Sequence, residues 1–233
     1  MATEDVKLLS SWYSPYAMRA ILALEAKGVK YELIDEDLNT KSQLLLESNP
    51  VYKKIPVLIH NGKAIPESLV IVLYADEAWP EDGSRSGFFP KDPYGRATTR
   101  FWSDFADKKI LDAALYASNA KGEEKESALR ELYDNFMTLE SGFTKVAAKP
   151  FFNGSTMGYA DICLAPLVVW LPVLVQLGGI RVPKVEEAPH LHKFFSAICE
   201  HPAAKVALPD PEKLIVFVET MRQRRRAASA SQP

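Results

Sequence analysis

KKIPVLIHNGKAIPESLVIVLYADEAW, residues 53–79, decides the fold. IPVLIH is an apolar run of strand length, Asn61-Gly62 is a strong two-residue hairpin turn, and Lys63 to Ile65 resumes the strand. Two antiparallel strands are therefore predicted. ESLVIVLYADEAW then has the spacing of a helix. Toward the N-terminus, KSQLLLES (41–48) reads as a short helix and VKYELIDED (29–37) as a strand. PYAMRAILALEAK (15–27) is a helix that Pro15 starts and Gly28 stops, and DVKLLS (5–10) is the first strand. The order βαβαββα makes an α/β unit of about 80 residues, within the range of independent domains. It is assigned to residues 1–82.

WPEDGSRSGFFPKDP (79–93) is rich in Pro, Gly and Ser, and its part from 83 to 93 is read as a linker. From Tyr94 onward strand signals nearly vanish and five segments suit helices, the first spanning 94–118, so residues 94–233 are expected to form an all-α domain. The closing RQRRR (222–226) is expected at an exposed helix end, where positive charge meets the negative pole of the dipole.

Composition narrows the function. With 233 residues and 47% hydrophobic content the chain can bury a full core, which excludes disorder over most of it. Lys and Arg number 28 against 30 Asp and Glu, so no global field draws in nucleic acid or an anionic membrane. Small-molecule partners are expected. Two cysteines, Cys163 and Cys199, are too few for a disulfide framework or a zinc site, and no metal is expected. MATEDVKLL has no cationic segment followed by an apolar core, so a cytoplasmic location is expected. ICLAPLVVWLPVLVQLGGI (162–180) is nearly long and apolar enough to span a bilayer, but it contains Pro166, Pro172 and Gln176 and lacks a flanking basic cluster. A buried core helix is the expectation.

WYSPY (12–16) stands at the first strand-to-helix turn. Together with WYSPYAMRAILALEAKGVKYE, NPVYKKIPVLIHNGKAIPES and DPYGRATTRFWSDFADKKI, it makes almost the whole chain resemble the glutathione transferases, and within them the plant tau class. The resemblance implies a thioredoxin-like N-terminal domain, glutathione as co-substrate with no bound cofactor, apolar electrophiles as the second substrate, and a homodimer.

The chemistry such a protein needs is stabilisation of a thiolate. A thiol of pKa about 8.5 is only about 3% ionised at pH 7, and lowering the pKa by about two units raises this to roughly three-quarters, for about 2.7 kcal/mol. A hydroxyl donating to sulfur at the positive end of a helix does this. Ser14, before Pro15, is placed for that role, although Ser at such a position also serves simply as an N-cap. The resemblance makes Ser14 the catalytic residue. A cysteine there would support thiol-disulfide exchange; a serine cannot form the mixed disulfide. In a strand ending at Ser14, Tyr13 would face away from its neighbour, so Trp12 and Tyr13 are assigned to packing.

For the tripeptide, the resemblance implies that Pro56 is a cis-proline exposing the backbone of Ile55, that Glu67 and Ser68 hold the γ-glutamyl group, and that Lys41 and Lys54 take the glycyl carboxylate. Taken alone, Pro56 fits an edge strand, Glu67-Ser68 a helix start, and either lysine a solvated surface, with Lys53 an alternative to Lys54. Pro66 removes a backbone donor beside Glu67. Asp161 matches a structural capping aspartate whose partner position holds Gly158, without a side-chain oxygen. The electrophile pocket is implied at Tyr16, Leu111, Leu115, Trp170 and Phe217, each of which equally suits a core. Conjugation is the expected activity. A non-catalytic carrier of apolar ligands such as flavonoids, and glutathione-dependent peroxide reduction, are the alternatives.

Overall fold

The computed structural model describes residues 4–83, 86–146 and 149–230. The N-terminal domain runs β1 (Val6–Ser10), α1 (Pro15–Ala26), β2 (Glu32–Asp35), α2 (Gln43–Ser48), β3 (Val57–His60), β4 (Lys63–Pro66) and α3 (Ser68–Ala78). The sheet order is β2-β1-β3-β4, with β1 parallel to β2 and antiparallel to β3. Strand alternation feeds two cores. Leu8 and Leu58 pair in register and face α1 and α3, while Leu9, Val57 and Ile59 face Leu45 of α2. Asn61 and Gly62 have φ of 49° and 75°, the positive pair that a type I′ turn requires.

Local chemistry sets the ends of α1. Ser14 Oγ accepts from Ala17 N–H at 3.2 Å, and Pro15 occupies the first turn. Gly28 at φ 62° lets Val29 N–H close onto Leu24 C=O at 3.0 Å, ending the helix at Ala26.

The helical domain contains α4 (Pro93–Phe105), a π segment (Ala106–Leu111), α5 (Asp112–Asn119), α6 (Gly122–Val146), α7 (Tyr159–Leu164), α8 (Leu167–Gly178), α9 (Pro189–Glu200), α10 (Pro202–Ala207) and α11 (Pro211–Ala230). Three expectations are corrected. The helix expected over 94–118 is interrupted by the π segment, because Asp112 N–H reaches back five residues to Asp107 C=O. The core helix expected at 162–180 is two helices, divided at Ala165-Pro166, where Pro166 has no N–H to continue the ladder. RQRRR lies inside α11, not at its end, because Ala227 and the following small residues carry the helix on to Ala230. Arg222 donates there to Leu177 C=O; Arg225 and Arg226 have side chains outside the described residues. The Tyr159–Gly178 stretch is apolar and long enough to cross a membrane, yet 72% of it is buried within the protein.

The start of α7 explains the incomplete capping box. Asp161 is fully buried and accepts from the N–H groups of Phe152 (2.8 Å), Gly158 (2.9 Å) and Asn153 (3.3 Å). Gly158 holds the N-cap position because a Cβ there would lie 2.5 Å from Asn153 Cβ and 2.8 Å from Phe88 C=O. No Ser or Thr fits, so Asp161 carries the cap alone. Asp161→Ala should therefore destabilise the protein by about 2–4 kcal/mol, since it leaves buried donors unpaired. Gly158→Ser should also lower the urea midpoint despite supplying a capping oxygen; a raised midpoint would contradict the steric account.

Candidate functional site

Two clefts flank the start of α1. The first, of about 410 Å³, is lined by Tyr16, Tyr52, Lys54, Ile55, Pro56, Glu67 and Ser68. The Ile55–Pro56 peptide is cis. Asn49 shapes the preceding loop: its Nδ2 donates to Lys54 C=O at 2.9 Å and its Oδ1 accepts from Tyr52 N–H at 3.1 Å, holding Tyr52 and Lys54 on the rim. Glu67 has φ of 74° and makes no side-chain cap bond to α3. A glutamate in that region costs about 1–3 kcal/mol, and such outliers cluster at functional sites. Its carboxylate can meet a cation, while Ser68 and the positive end of α3 can meet an anion. A ligand with an ammonium and a carboxylate on one carbon fits this pair.

The second cleft, of about 370 Å³, has an apolar and aromatic side formed by Tyr13, Leu115, Trp170, Leu174, Phe217 and Met221 and a polar side with Ser118, Asn119 and Arg222. Tyr13 and Phe217 pack with ring centroids 4.5 Å apart, and Trp12 meets Phe217 edge-on at 4.9 Å. Leu38 and Asn39 reach it from the loop between β2 and α2. This volume and lining suit an aromatic guest.

Ser14 lies in the chain between Tyr13 of the second cleft and Tyr16 of the first. It is buried at the N-terminus of α1, and its hydroxyl uses an oxygen lone pair for the Ala17 cap. Among the described residues the hydroxyl makes no donation, so capping and donating to a ligand are compatible uses of one side chain.

Beneath the first cleft lies Arg19, 1% exposed. Its Nε donates to Cys163 C=O at 3.0 Å, its Nη1 pairs with Asp107 at 2.7 Å and lies 3.5 Å from Ser68 Oγ. Burial pushes the Cys163 thiol up to about 11, leaving it protonated.

Several assignments move. Tyr16, expected in the electrophile pocket, lines the first cleft, and its hydroxyl donates to Asp112 at 2.8 Å. Leu111, 1% exposed, is core: the π segment turns it inward, and of the two leucines only Leu115 lines the apolar cleft. Lys41 is exposed one residue before the α2 cap Ser42 and lines neither cleft, whereas Lys54 lines the first. Tyr13, expected to pack, walls the apolar cleft, because β1 ends at Ser10 and a turn follows, so strand alternation does not reach residue 13. No sequence motif marks Tyr52, on the rim of the first cleft, or the Arg19–Asp107 pair beneath it. The Asn-Pro-Val-Tyr order is only a turn signal for Tyr52, since an Asn side chain often closes a turn onto a following N–H.

A cis-proline edge and a helix N-terminus lining one cleft, joined to a helical domain that builds a second, define a two-domain thioredoxin-like protein. Residues 4–77 match the glutathione S-transferase N-terminal domain and residues 98–202 the glutathione S-transferase C-terminal domain. The chain belongs to the glutathione S-transferase family. Its relatives are of the tau class: it is 41% identical to glutathione S-transferase U19 of Arabidopsis thaliana, over 95% of this chain and 97% of that protein. It superposes on a tau class glutathione S-transferase from mango, Mangifera indica, with a TM-score of 0.86 and 44% identity, over 93% of this chain and 98% of that one. A rice glutathione S-transferase solved in complex with glutathione gives 0.85 and 35%, over 96% and 99%.

The packed rings of this cleft supply a test that needs no turnover. Phe217→Ala should weaken binding of an anilinonaphthalene sulfonate probe about tenfold, the scale of one lost aromatic pair plus its buried area. Glutathione should not change in affinity, because Phe217 lies outside the first cleft.

Proposed function

We propose that the chain conjugates glutathione to hydrophobic electrophiles. The first cleft takes the tripeptide: Glu67 meets its ammonium, Ser68 and the α3 N-terminus its γ-glutamyl carboxylate, the Ile55 backbone its cysteinyl segment, and Lys54 its glycyl carboxylate. Lys41 can join Lys54 if its side chain swings inward. The apolar cleft takes the electrophile. Ser14, at their junction, donates to the sulfur and holds it as the thiolate that attacks.

The observation that carries this reading is the undonated hydroxyl of Ser14, buried at the positive end of α1 in the short stretch of chain whose Tyr13 lines one cleft and whose Tyr16 lines the other. Ser14→Ala should retain glutathione affinity and lose about 100-fold or more in conjugation of 1-chloro-2,4-dinitrobenzene, the scale of removing one donor to a developing or stabilised anion. The sign of its pH effect follows from the pKa. A stabilised thiolate is formed at lower pH, so removing the donor should raise the midpoint of the pH–rate profile by up to about two units toward the free thiol value. A variant with parental rate and midpoint would remove Ser14 from the mechanism.

The aromatic cleft equally favours a carrier of flavonoid-like ligands, and displacement of such ligands without turnover by the parent chain would select that reading. A role in detoxification follows if conjugation holds. The two unpaired cysteines suit a cytosolic, reducing compartment. Pairing of two copies is favoured by apolar residues exposed on α3 and α4, Val70, Tyr94 and Phe101. The chain should sediment at twice its 26.0 kDa mass, and Phe101→Glu should shift it toward the monomer.

A further inference from the structure

The first cleft is lined wholly by the N-terminal domain, yet one of its walls is held from the helical domain. Tyr16 donates to Asp112 at 2.8 Å, and Arg19, one turn along α1, pairs with Asp107 at 2.7 Å. Residues three apart on a helix share a face, so Tyr16 and Arg19 form one edge of α1. Asp107 and Asp112 are five apart and in an α-helix would point about 140° away from each other. The π turn removes that mismatch. Asp112 N–H donates to Asp107 C=O, and this wider turn brings both carboxylates to the side that meets α1.

We infer that Asp112 is a positioning residue for the glutathione cleft, and that the π turn at 106–111 exists to bring it into register with Tyr16. The Tyr16 ring is a wall of the cleft, and its phenol has one partner among the described residues, Asp112. Burial, and then the Asp112 carboxylate, push the phenol above its ordinary pKa, so it is a neutral, committed donor. Without Asp112 the ring keeps only the Arg19 guanidinium over its face, 5.4 Å from the centroid, and its hydroxyl end can swing into the space the tripeptide occupies. This inference rests on the reading that the cleft binds glutathione.

Calorimetric titration with glutathione across a double-mutant cycle tests it. Tyr16→Phe keeps the ring and loses the bond; Asp112→Ala loses the acceptor. Each should weaken glutathione about threefold to tenfold, the scale of one ordinary net hydrogen bond. The double variant should be no weaker than either single one, and the loss should appear in the KM for glutathione more than in kcat. Asp112→Asn, which keeps an acceptor oxygen, should bind within about twofold of the parent. Parental affinity in both single variants, or losses that multiply in the double variant, overturn the inference while leaving the proposed function standing. Failure of the parent chain to bind glutathione overturns both.

Discussion

The buried guanidinium of Arg19 is the constraint around which the two domains are arranged. A charge taken out of water costs several kcal/mol unless it is paired. Its partners come from three places: Cys163 C=O on α7, Asp107 on the π segment, and Ser68 at the start of α3. Two of these elements belong to the helical domain and one to the cleft. Displacing either domain would strand the charge, so the interface is fixed by an electrostatic requirement that apolar packing alone does not impose. α1 can then serve both sides, with its first residues facing the clefts and its next turn locked into the partner domain.

That arrangement divides the work. In the proposed reaction a small zwitterionic ligand is met by backbone-defined features of the thioredoxin-like domain: the cis-proline edge, Glu67 at positive φ and the N-terminus of α3. In the proposed reaction an apolar ligand is met by side chains drawn from both domains, with Tyr13, Leu38 and Asn39 on one side of the cleft and Leu115, Trp170 and Phe217 on the other. The second set can change by substitution without disturbing the first. A fold built this way holds one co-substrate constant while the other varies.

What could be read from the sequence was whatever local chemistry dictates. Asn61-Gly62 had to be a type I′ turn, since only such residues take positive φ twice in succession at little cost, and Ser14-Pro15 and Gly28 had to bound a helix. Where motif and backbone coincide, at Ile55, Pro56, Glu67 and Ser68, the residues singled out in the sequence line one cleft. Side-chain direction was less legible. ADKKIL has no composition that distinguishes a π turn from an α turn, so Leu111 was expected in a pocket and stands in the core. Tyr13 was judged by a strand period that had already ended at Ser10, and the Tyr16–Asp112 bond joins residues 96 positions apart, which no local pattern encodes.

Cys163 gives the site a property that concerns durability. A protein that handles alkylating molecules is itself at risk from them, and a thiol is its most vulnerable group. Here the internal thiol is fully buried, bonded to Ser103 C=O, and kept protonated by its surroundings. Cys199, the exposed thiol, is on α9 and lines neither cleft. The nucleophile in the proposed reaction is thus one that arrives and departs with each turnover, so its alkylation is carried away in the product and consumes no side chain of the site.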